Sequence, residues 1–174
     1  MRKTTYLTRR QTLGAVAAGA SVSVAGCNGS SSDRTDGIAF DHPDTVLADF
    51  VAPAFEQLCC EALWTLYDET PVVDVGGWWY QDHEIDVVGL TDEDTLVVGE
   101  CKYQESPLDY GALASLETHV EELRWQPSGG GTRTVEYALF SRSGFTDSVR
   151  ETAADRSDVR LYTIEDVVDA LEDE

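Results

Sequence analysis

The apolar residues of this chain repeat with a helical period early on and with a strand period in the middle. Apolar side chains recur every three or four positions between Phe50 and Leu66, which predicts an amphipathic helix over about residues 45–67. Alternating and continuous apolar runs then predict strands near residues 72–75, 78–90 (with an irregularity) and 96–103. A helix followed by three consecutive strands is therefore expected.

The rest of the chain alternates between helical and strand patterns. A crossover helix is predicted over about 108–125, and a loop containing Pro127 and three glycines over 126–131. Further apolar runs predict strands at 135–140 and 159–162 and helices at 146–154 and 164–171. This order predicts an α/β sandwich around a mixed central sheet.

Charged side chains interrupt the second and third strands where apolar residues would be expected. Successive strand residues point to opposite faces, so Glu84 and Asp86 can share a face with Glu100 and Lys102 of the next strand. The polar run 91–95 predicts a hairpin turn centred on Glu93. That register would place Asp86 opposite Glu100, and Glu84 opposite Lys102.

Two facing carboxylates repel each other unless a cation lies between them, and oxygen ligands suit Mg²⁺ or Mn²⁺. We therefore expect a metal site at Asp86 and Glu100. A simple ion pair between Glu84 and Lys102 is the alternative, but it leaves Asp86 facing Glu100 without a partner.

The composition is strongly acidic. The 174 residues include 33 Asp and Glu against 12 Lys and Arg, and after Lys3 the one lysine is Lys102. A net charge of −21 with so few lysines resembles the proteins of extremely salt-loving archaea. The body of the chain shows no basic stripe, the usual footprint of a nucleic-acid binder, which weighs against nucleic-acid binding.

The pattern Asp86 … Glu100-Cys101-Lys102 resembles the signature of the PD-(D/E)XK restriction-endonuclease-like nucleases. Longer strings add to it, in the order Phe55-Glu56, Gly77-Trp78-Trp79, Glu84-Ile85-Asp86, then residues 140–146 (Phe-Ser-Arg-Ser-Gly-Phe-Thr). Together they resemble the nuclease-like domain found at the C-terminal end of many archaeal ATPases, over about residues 45–165. This chain shows no phosphate-binding Gly-x-x-x-x-Gly-Lys-Ser/Thr loop of its own.

The resemblance implies a restriction-endonuclease-like core and Mg²⁺-dependent hydrolysis of DNA. Asp86, Glu100 and the Cys101 carbonyl would bind the metal, Lys102 would act on the attacking water, and Glu84 and Glu56 would border the site. From the helical pattern alone, Glu56 is equally well explained as a solvated carboxylate. The alternative function is a non-catalytic docking module, with an ATPase encoded separately as its partner.

The N-terminal segment predicts export. Arg9 and Arg10, followed by a short apolar run and the string Val24-Ala25-Gly26-Cys27, look like a twin-arginine signal with a lipoprotein cleavage site. We expect residues 1–27 to be this signal, 28–44 a flexible tether and 45–174 the nuclease-like domain. A lipidated Cys27 would anchor the protein at the outer membrane surface, and a cytoplasmic location is the alternative.

Three further features have a structural and a functional interpretation. Of Trp78 and Trp79, packing in the core is favoured over contact with a base. Residues 141–145 could approach a phosphate through backbone amides, or could simply be a strand-to-helix connection. Cys59, Cys60 and Cys101 are expected to be free thiols that pack as small apolar side chains, with Cys101 on the face opposite the acidic residues.

Overall fold

The computed structural model describes residues 43–172 of the protein. Within them four helices and five strands follow one another, and the described part of the chain holds no helix long and apolar enough to cross a membrane. In chain order they are α1 (Pro43–Leu66), β1 (Val72–Tyr80), β2 (His83–Thr91), β3 (Thr95–Lys102), α2 (Tyr110–Glu122), β4 (Thr134–Ser141), α3 (Asp147–Asp155), β5 (Val159–Thr163) and α4 (Ile164–Glu172).

The five strands form one mixed sheet in the order β1-β2-β3-β4-β5. The first three strands are antiparallel, whereas β4 and β5 run parallel to β3 because helices α2 and α3 carry the chain back each time. The predicted strand over residues 78–90 is wrong in one respect, since Gln81 and Asp82 form a tight turn within it. Gln81 adopts a φ of 54°, a conformation uncommon outside glycine.

Helices cover both faces of the sheet, which confirms the predicted α/β sandwich. On one face α1 and α4 enclose a core that includes Phe55, Leu63, Val97 and Phe140. On the other face α2 and α3 enclose a second core around Leu113, Leu116, Val98 and Leu139. We call these the α1 side and the α2 side of the sheet.

The apolar stripe of α1 is narrower than its sequence predicts. Phe55, Cys59 and Leu63 are buried at four-residue intervals, as expected for the face that packs on the sheet. Phe50 and Leu58 are exposed, although their spacing placed them in the same stripe. The sheet covers only part of the helix circumference, so apolar residues at the margin of the stripe remain in solvent.

The side-chain alternation of β2 breaks between Ile85 and Val87. Ile85 packs on the α2 side, yet Val87, two residues later, packs on the α1 side. The pairing of β1 with β2 shifts register at the same point, between Gly76 and Trp78, as a β-bulge does. A strict period of two therefore fails between Ile85 and Val87, on either side of Asp86.

Candidate functional site

Strands β2 and β3 separate at one end of the sheet, and Asp86 lies at the point of separation. Their paired residues run from Leu90 and Leu96 to Val87 and Gly99, which confirms a hairpin centred on Glu93. Beyond that pair, the backbone N–H of Cys101 donates a hydrogen bond to Oδ2 of Asp86, at 2.8 Å. A side-chain carboxylate thus takes the place of a backbone carbonyl in the ladder.

Glu100 and Lys102 form an ion pair beside this hydrogen bond. Lys102 Nζ contacts Glu100 Oε1, and the side chain of Glu100 is only 12% exposed, against 39% for Lys102. The expected cross-strand pairing of Glu84 with Lys102 is wrong, because β2 and β3 no longer pair at that level and Lys102 bonds within its own strand. The break in alternation on β2 explains the difference.

Glu56 of α1 joins the acidic group, as the resemblance implied. Burial raises the pKa of Glu56, the charges of Glu84 and Glu100 raise it further, and Lys102 partly opposes them. The side chain of Glu56 is partly buried on α1. Charge interactions link the five predicted residues, which we call the acidic cluster: Glu56, Glu84, Asp86, Glu100 and Lys102.

Asp86 carries the most perturbed carboxyl group of the cluster. Burial raises its pKa to about 7, and repulsion from Glu100 adds to the shift. The hydrogen bond from Cys101 and the charge of Lys102 lower the pKa, but they do not offset the burial. Asp86 is consequently poised to take up either a proton or a cation near neutral pH.

Lys102 keeps its proton despite being half-buried. Burial disfavours its charged form, but the hydrogen-bonded ion pair with Glu100 and the charge of Asp86 outweigh that effect and raise the pKa of Lys102. The group is therefore an ammonium ion at neutral pH in this arrangement. It can hold a water molecule or stabilise negative charge, whereas abstracting a proton is disfavoured.

Two glycines allow the strands to meet closely around the site. A Cβ on Gly99 would lie 3.0 Å from the carbonyl oxygen of Ala138 and from side-chain atoms of Phe140 and Val87. A Cβ on Gly77 would lie 3.3 Å from the carbonyl oxygen of Asp86. Side chains at these positions would push β1 away from β2, or β3 away from its neighbours, and would displace Asp86 or Glu100.

The donor atoms fit a hard divalent cation. Between residues 43 and 172 no three His, Cys, Asp or Glu side chains are grouped to hold a metal ion. Mg²⁺, however, commonly takes only one or two carboxylates and completes its shell with water and substrate phosphates. Asp86 and Glu100 supply those carboxylates. The carbonyl of Cys101 points to the same edge of β3 as the N–H that bonds Asp86, because both groups of a strand residue do.

The cysteine thiols of the described residues lie on the α1 side of the sheet. Cys59 and Cys101 are buried and free on the α1 side, which confirms the expectation that they pack as small apolar side chains. Burial raises the pKa of the Cys101 thiol, and contact with Cys59 raises it further. Burial also raises the pKa of Cys60 to about 12, so this thiol is not a nucleophile at neutral pH.

Of the adjacent tryptophans, one packs and one does not. Trp78 is 6% exposed in the core on the α2 side, as the packing interpretation expected, and Trp79 is 64% exposed. Trp79 pairs with Glu84 across the β1–β2 ladder, so its indole lies at the same end of the sheet as the acidic cluster.

One cationic contact was not predicted from the sequence. The guanidinium of Arg142 lies over the ring of Tyr103, 4.8 Å from the ring centroid. The backbone N–H of Arg142 donates a hydrogen bond to the backbone carbonyl of Lys102. The parallel register of β3 with β4, which sets Lys102 beside Ser141, brings the two segments together. A signal was present in the sequence, since an arginine directly follows the strand that returns from the crossover helix.

The fold defined by this sheet and these helices is that of the restriction-endonuclease-like proteins. MspJI restriction endonuclease in complex with a 27-mer oligonucleotide superposes with a TM-score of 0.50 and 17% identity, over 72% of this chain and 29% of that chain. A repair endonuclease from Pyrococcus abyssi gives a TM-score of 0.44 and 12% identity, over 71% of this chain and 47% of that one. At these identities the likeness concerns the fold alone, and this chain spans less than half of either neighbour.

The sequence itself belongs to the DUF234 family, "Archaea bacterial proteins of unknown function", whose model matches residues 30–118. The matched segment includes Glu56, Glu84, Asp86, Glu100 and Lys102. No curated protein matches the chain. The predicted export residues Arg9 and Arg10, and the predicted lipidation site Cys27, lie outside the residues that the structure describes.

Proposed function

We propose that this domain is a Mg²⁺- or Mn²⁺-dependent nuclease that hydrolyses phosphodiester bonds in DNA. The observation that carries the proposal is the hydrogen bond between Asp86 and the Cys101 amide, at the point where β2 and β3 separate. Glu100 and Lys102 flank that bond on the neighbouring strand. DNA is the proposed substrate because the restriction endonuclease with a similar fold is in complex with an oligonucleotide.

Each residue has a role that its environment supports. Asp86, Glu100 and the Cys101 carbonyl would hold the cation, which would act as a Lewis acid on the phosphate and balance the carboxylate charges. Lys102, held as an ammonium ion, positions the attacking water and stabilises negative charge on the phosphorane. Glu56 and Glu84 would border the site, and the raised pKa of Glu56 suits a carboxylate that accepts a proton from that water.

The test is a cleavage assay with the full chain in concentrated salt. Single-stranded, duplex and branched DNA would be incubated with Mg²⁺, Mn²⁺ or EDTA. We expect metal-dependent cleavage that is lost in Asp86→Ala, Glu100→Ala and Lys102→Ala. Glu93→Gln is the matched control, because it removes an exposed carboxylate at the opposite end of the same hairpin and should leave cleavage unchanged. A folded wild type that binds metal and cleaves none of these substrates contradicts the proposal.

A second function is favoured by the exposed surface. Large apolar side chains are exposed at Phe50 on α1 and at Val73, Trp79 and Tyr80 on the edge strand β1, in an otherwise acidic protein. Such groups suit a non-catalytic docking module, for which an ATPase encoded separately is the proposed partner. Purification of the tagged protein from its native cells should then yield a stoichiometric ATPase, and Trp79→Ser should release it while Asp86→Ala should not.

A further inference from the structure

Cations are scarce in this protein, and most of those in the described region are already bonded through their side chains. Residues 43–172 contain seven Lys and Arg. Five of them contact carboxylate or carbonyl oxygens of the protein: Lys102, Arg133, Arg150, Arg156 and Arg160. Among the described residues only Arg124 and Arg142 leave the guanidinium without an oxygen partner, and Arg142 alone lies at the end of the sheet that carries the acidic cluster.

The position of Arg142 is fixed by its backbone. Its N–H donates to the carbonyl of Lys102 at 3.1 Å, so it stands directly beside the lysine of the proposed site. The turn that follows is tied down by Ser141 Oγ to the Gly144 carbonyl at 2.7 Å and by Ser143 Oγ to the Gln104 carbonyl at 2.6 Å. These bonds hold the base of the Arg142 side chain in a defined place.

Two aromatic rings support the guanidinium itself. Arg142 lies over Tyr103, and the Tyr103 ring packs against Phe55, with 5.6 Å between the ring centroids. A cation–π contact uses the flat face of the guanidinium and leaves its N–H edges free to donate. Phe55 precedes Glu56 on α1, so this stack lies on the α1 side of the acidic cluster. The free edge is therefore preorganised for a planar, bidentate acceptor.

We propose that Arg142 binds a phosphate of the nucleic-acid strand adjacent to the phosphate that is cleaved. The inference rests on the proposed function and extends it, because it gives the strand a cationic contact outside the metal and Lys102. A phosphate oxyanion fits this guanidinium because it can accept two parallel N–H hydrogen bonds. The positive charge of Arg142 would also offset the repulsion between the phosphate and the surrounding carboxylates. The subsite holds the strand and does not take part in bond breaking, so it should affect binding more than the chemical step.

Binding can be measured separately from cleavage. The full chain carrying Asp86→Asn would be titrated, without divalent metal and over a range of KCl, against a fluorescein-labelled single-stranded oligodeoxynucleotide followed by anisotropy. Adding Arg142→Ala should weaken binding by about tenfold or more and reduce the salt dependence by about one phosphate contact. Arg142→Lys should keep the salt dependence but lose affinity, because an ammonium is not bidentate. Tyr103→Leu should give an intermediate loss.

Arg124→Ala is the matched control, since Arg124 is exposed, lacks an oxygen partner and lies beyond the far end of α2. Equal affinities and salt slopes for Arg142→Ala and Arg124→Ala overturn the subsite. The subsite is also overturned if inorganic phosphate inhibits oligonucleotide binding equally in the proteins with Arg142 and with Arg142→Ala. If Arg142→Ala weakens binding while the wild type cleaves nothing, the subsite stands and the nuclease proposal fails. If the wild type cleaves DNA and Arg142→Ala leaves KM unchanged, the nuclease proposal stands and the Arg142 subsite is overturned.

Discussion

Oδ2 of Asp86 lies 2.8 Å from the backbone nitrogen of Cys101, so a side chain of β2 bonds the main chain of β3 just where the two strands stop pairing. The bond holds the Asp86 carboxylate against Glu100, its strongest source of repulsion. A cation between them would relieve that repulsion, and so would a proton. The first two predictions follow from these alternatives.

In EDTA, stability should depend on pH through Asp86. Its pKa is about 7 in the folded protein against an ordinary 3.8, so the folded state binds the proton more tightly. The resulting stabilisation is fully present below pH 3.8 and is lost as the pH rises through about 7. Urea denaturation should therefore find Asp86→Asn more stable than wild type above pH 7, on the order of a few kcal/mol, since one pKa unit is about 1.4 kcal/mol. Curves that stay parallel from pH 4 to 8 would contradict this.

Divalent metal should stabilise the folded protein at constant ionic strength. Binding to the folded state alone adds about 2.7 kcal/mol when the metal concentration is 100 times Kd, so the melting temperature should rise with added Mg²⁺ or Mn²⁺. The rise should disappear in Asp86→Asn and persist in Glu93→Gln, as measured by thermal melts followed by circular dichroism. An equal rise in both variants would mean that the ion acts by general screening of the acidic surface.

Lys102 should matter far more for activity than for stability. Its ion pair with Glu100 is partly exposed, and such pairs contribute up to about 1 kcal/mol, so Lys102→Ala should unfold at nearly the same urea concentration as wild type. Cleavage should nevertheless fall by orders of magnitude while the metal-induced shift in melting temperature survives. Lys102→Arg should also be strongly impaired, because a guanidinium keeps the charge but not the compact donor geometry. Full activity in Lys102→Arg would reduce the role of this residue to charge alone.

The two adjacent tryptophans should behave in opposite ways on truncation. Trp78→Ala removes a buried ring and should cost about 3–5 kcal/mol of unfolding free energy. Trp79→Ala alters an exposed side chain and should change stability by about 0.5 kcal/mol or less. Denaturant melts of the two variants at one salt concentration provide the comparison. A large loss for Trp79 would show that its ring is covered in solution.

The N-terminal signal predicts where the mature protein resides. We propose that the chain is exported and lipidated at Cys27, so intact-mass measurement of native protein should give a lipid-modified N-terminus at that residue. Changing Arg9 and Arg10 to lysine should leave the precursor inside the cell, whereas the same change at Arg124 should not. Unprocessed protein in the cytosolic fraction of wild-type cells would support the cytoplasmic alternative.

The sequence predicted most of this architecture because its signals were local. The polar run 91–95 set the hairpin register, and with it the approach of Asp86 to Glu100, while helical spacing located α1 and the closing helix. The turn at Gln81 and Asp82 was missed because it contains neither glycine nor proline.

The parts of the site that escaped prediction depend on contacts between distant segments. The bulge opposite Gly77 interrupts the alternation of β2 between Ile85 and Val87, and a rule based on a period of two cannot include an extra residue that the pattern does not mark. The stacking of Arg142 on Tyr103 requires the parallel register of β3 with β4, which follows from the length and packing of the crossover helix. Glu56 was placed by the resemblance, not by its helical spacing.

The direction of α1 has a practical consequence for handling the protein. The helix ends at Leu66 and the chain enters β1 at Val72, which pairs with Thr91 at the far end of the sheet from Asp86. The start of α1 therefore lies at the end of the sheet that carries the acidic cluster. The closing helix also begins at the site end of the sheet, because it starts where β5 ends, level with Ser141, and from there it runs along α1 to the far end. Tags, surface linkages and fusion partners at the C-terminal end should leave the approach to the carboxylates clear, whereas the same additions at the start of α1 would crowd it.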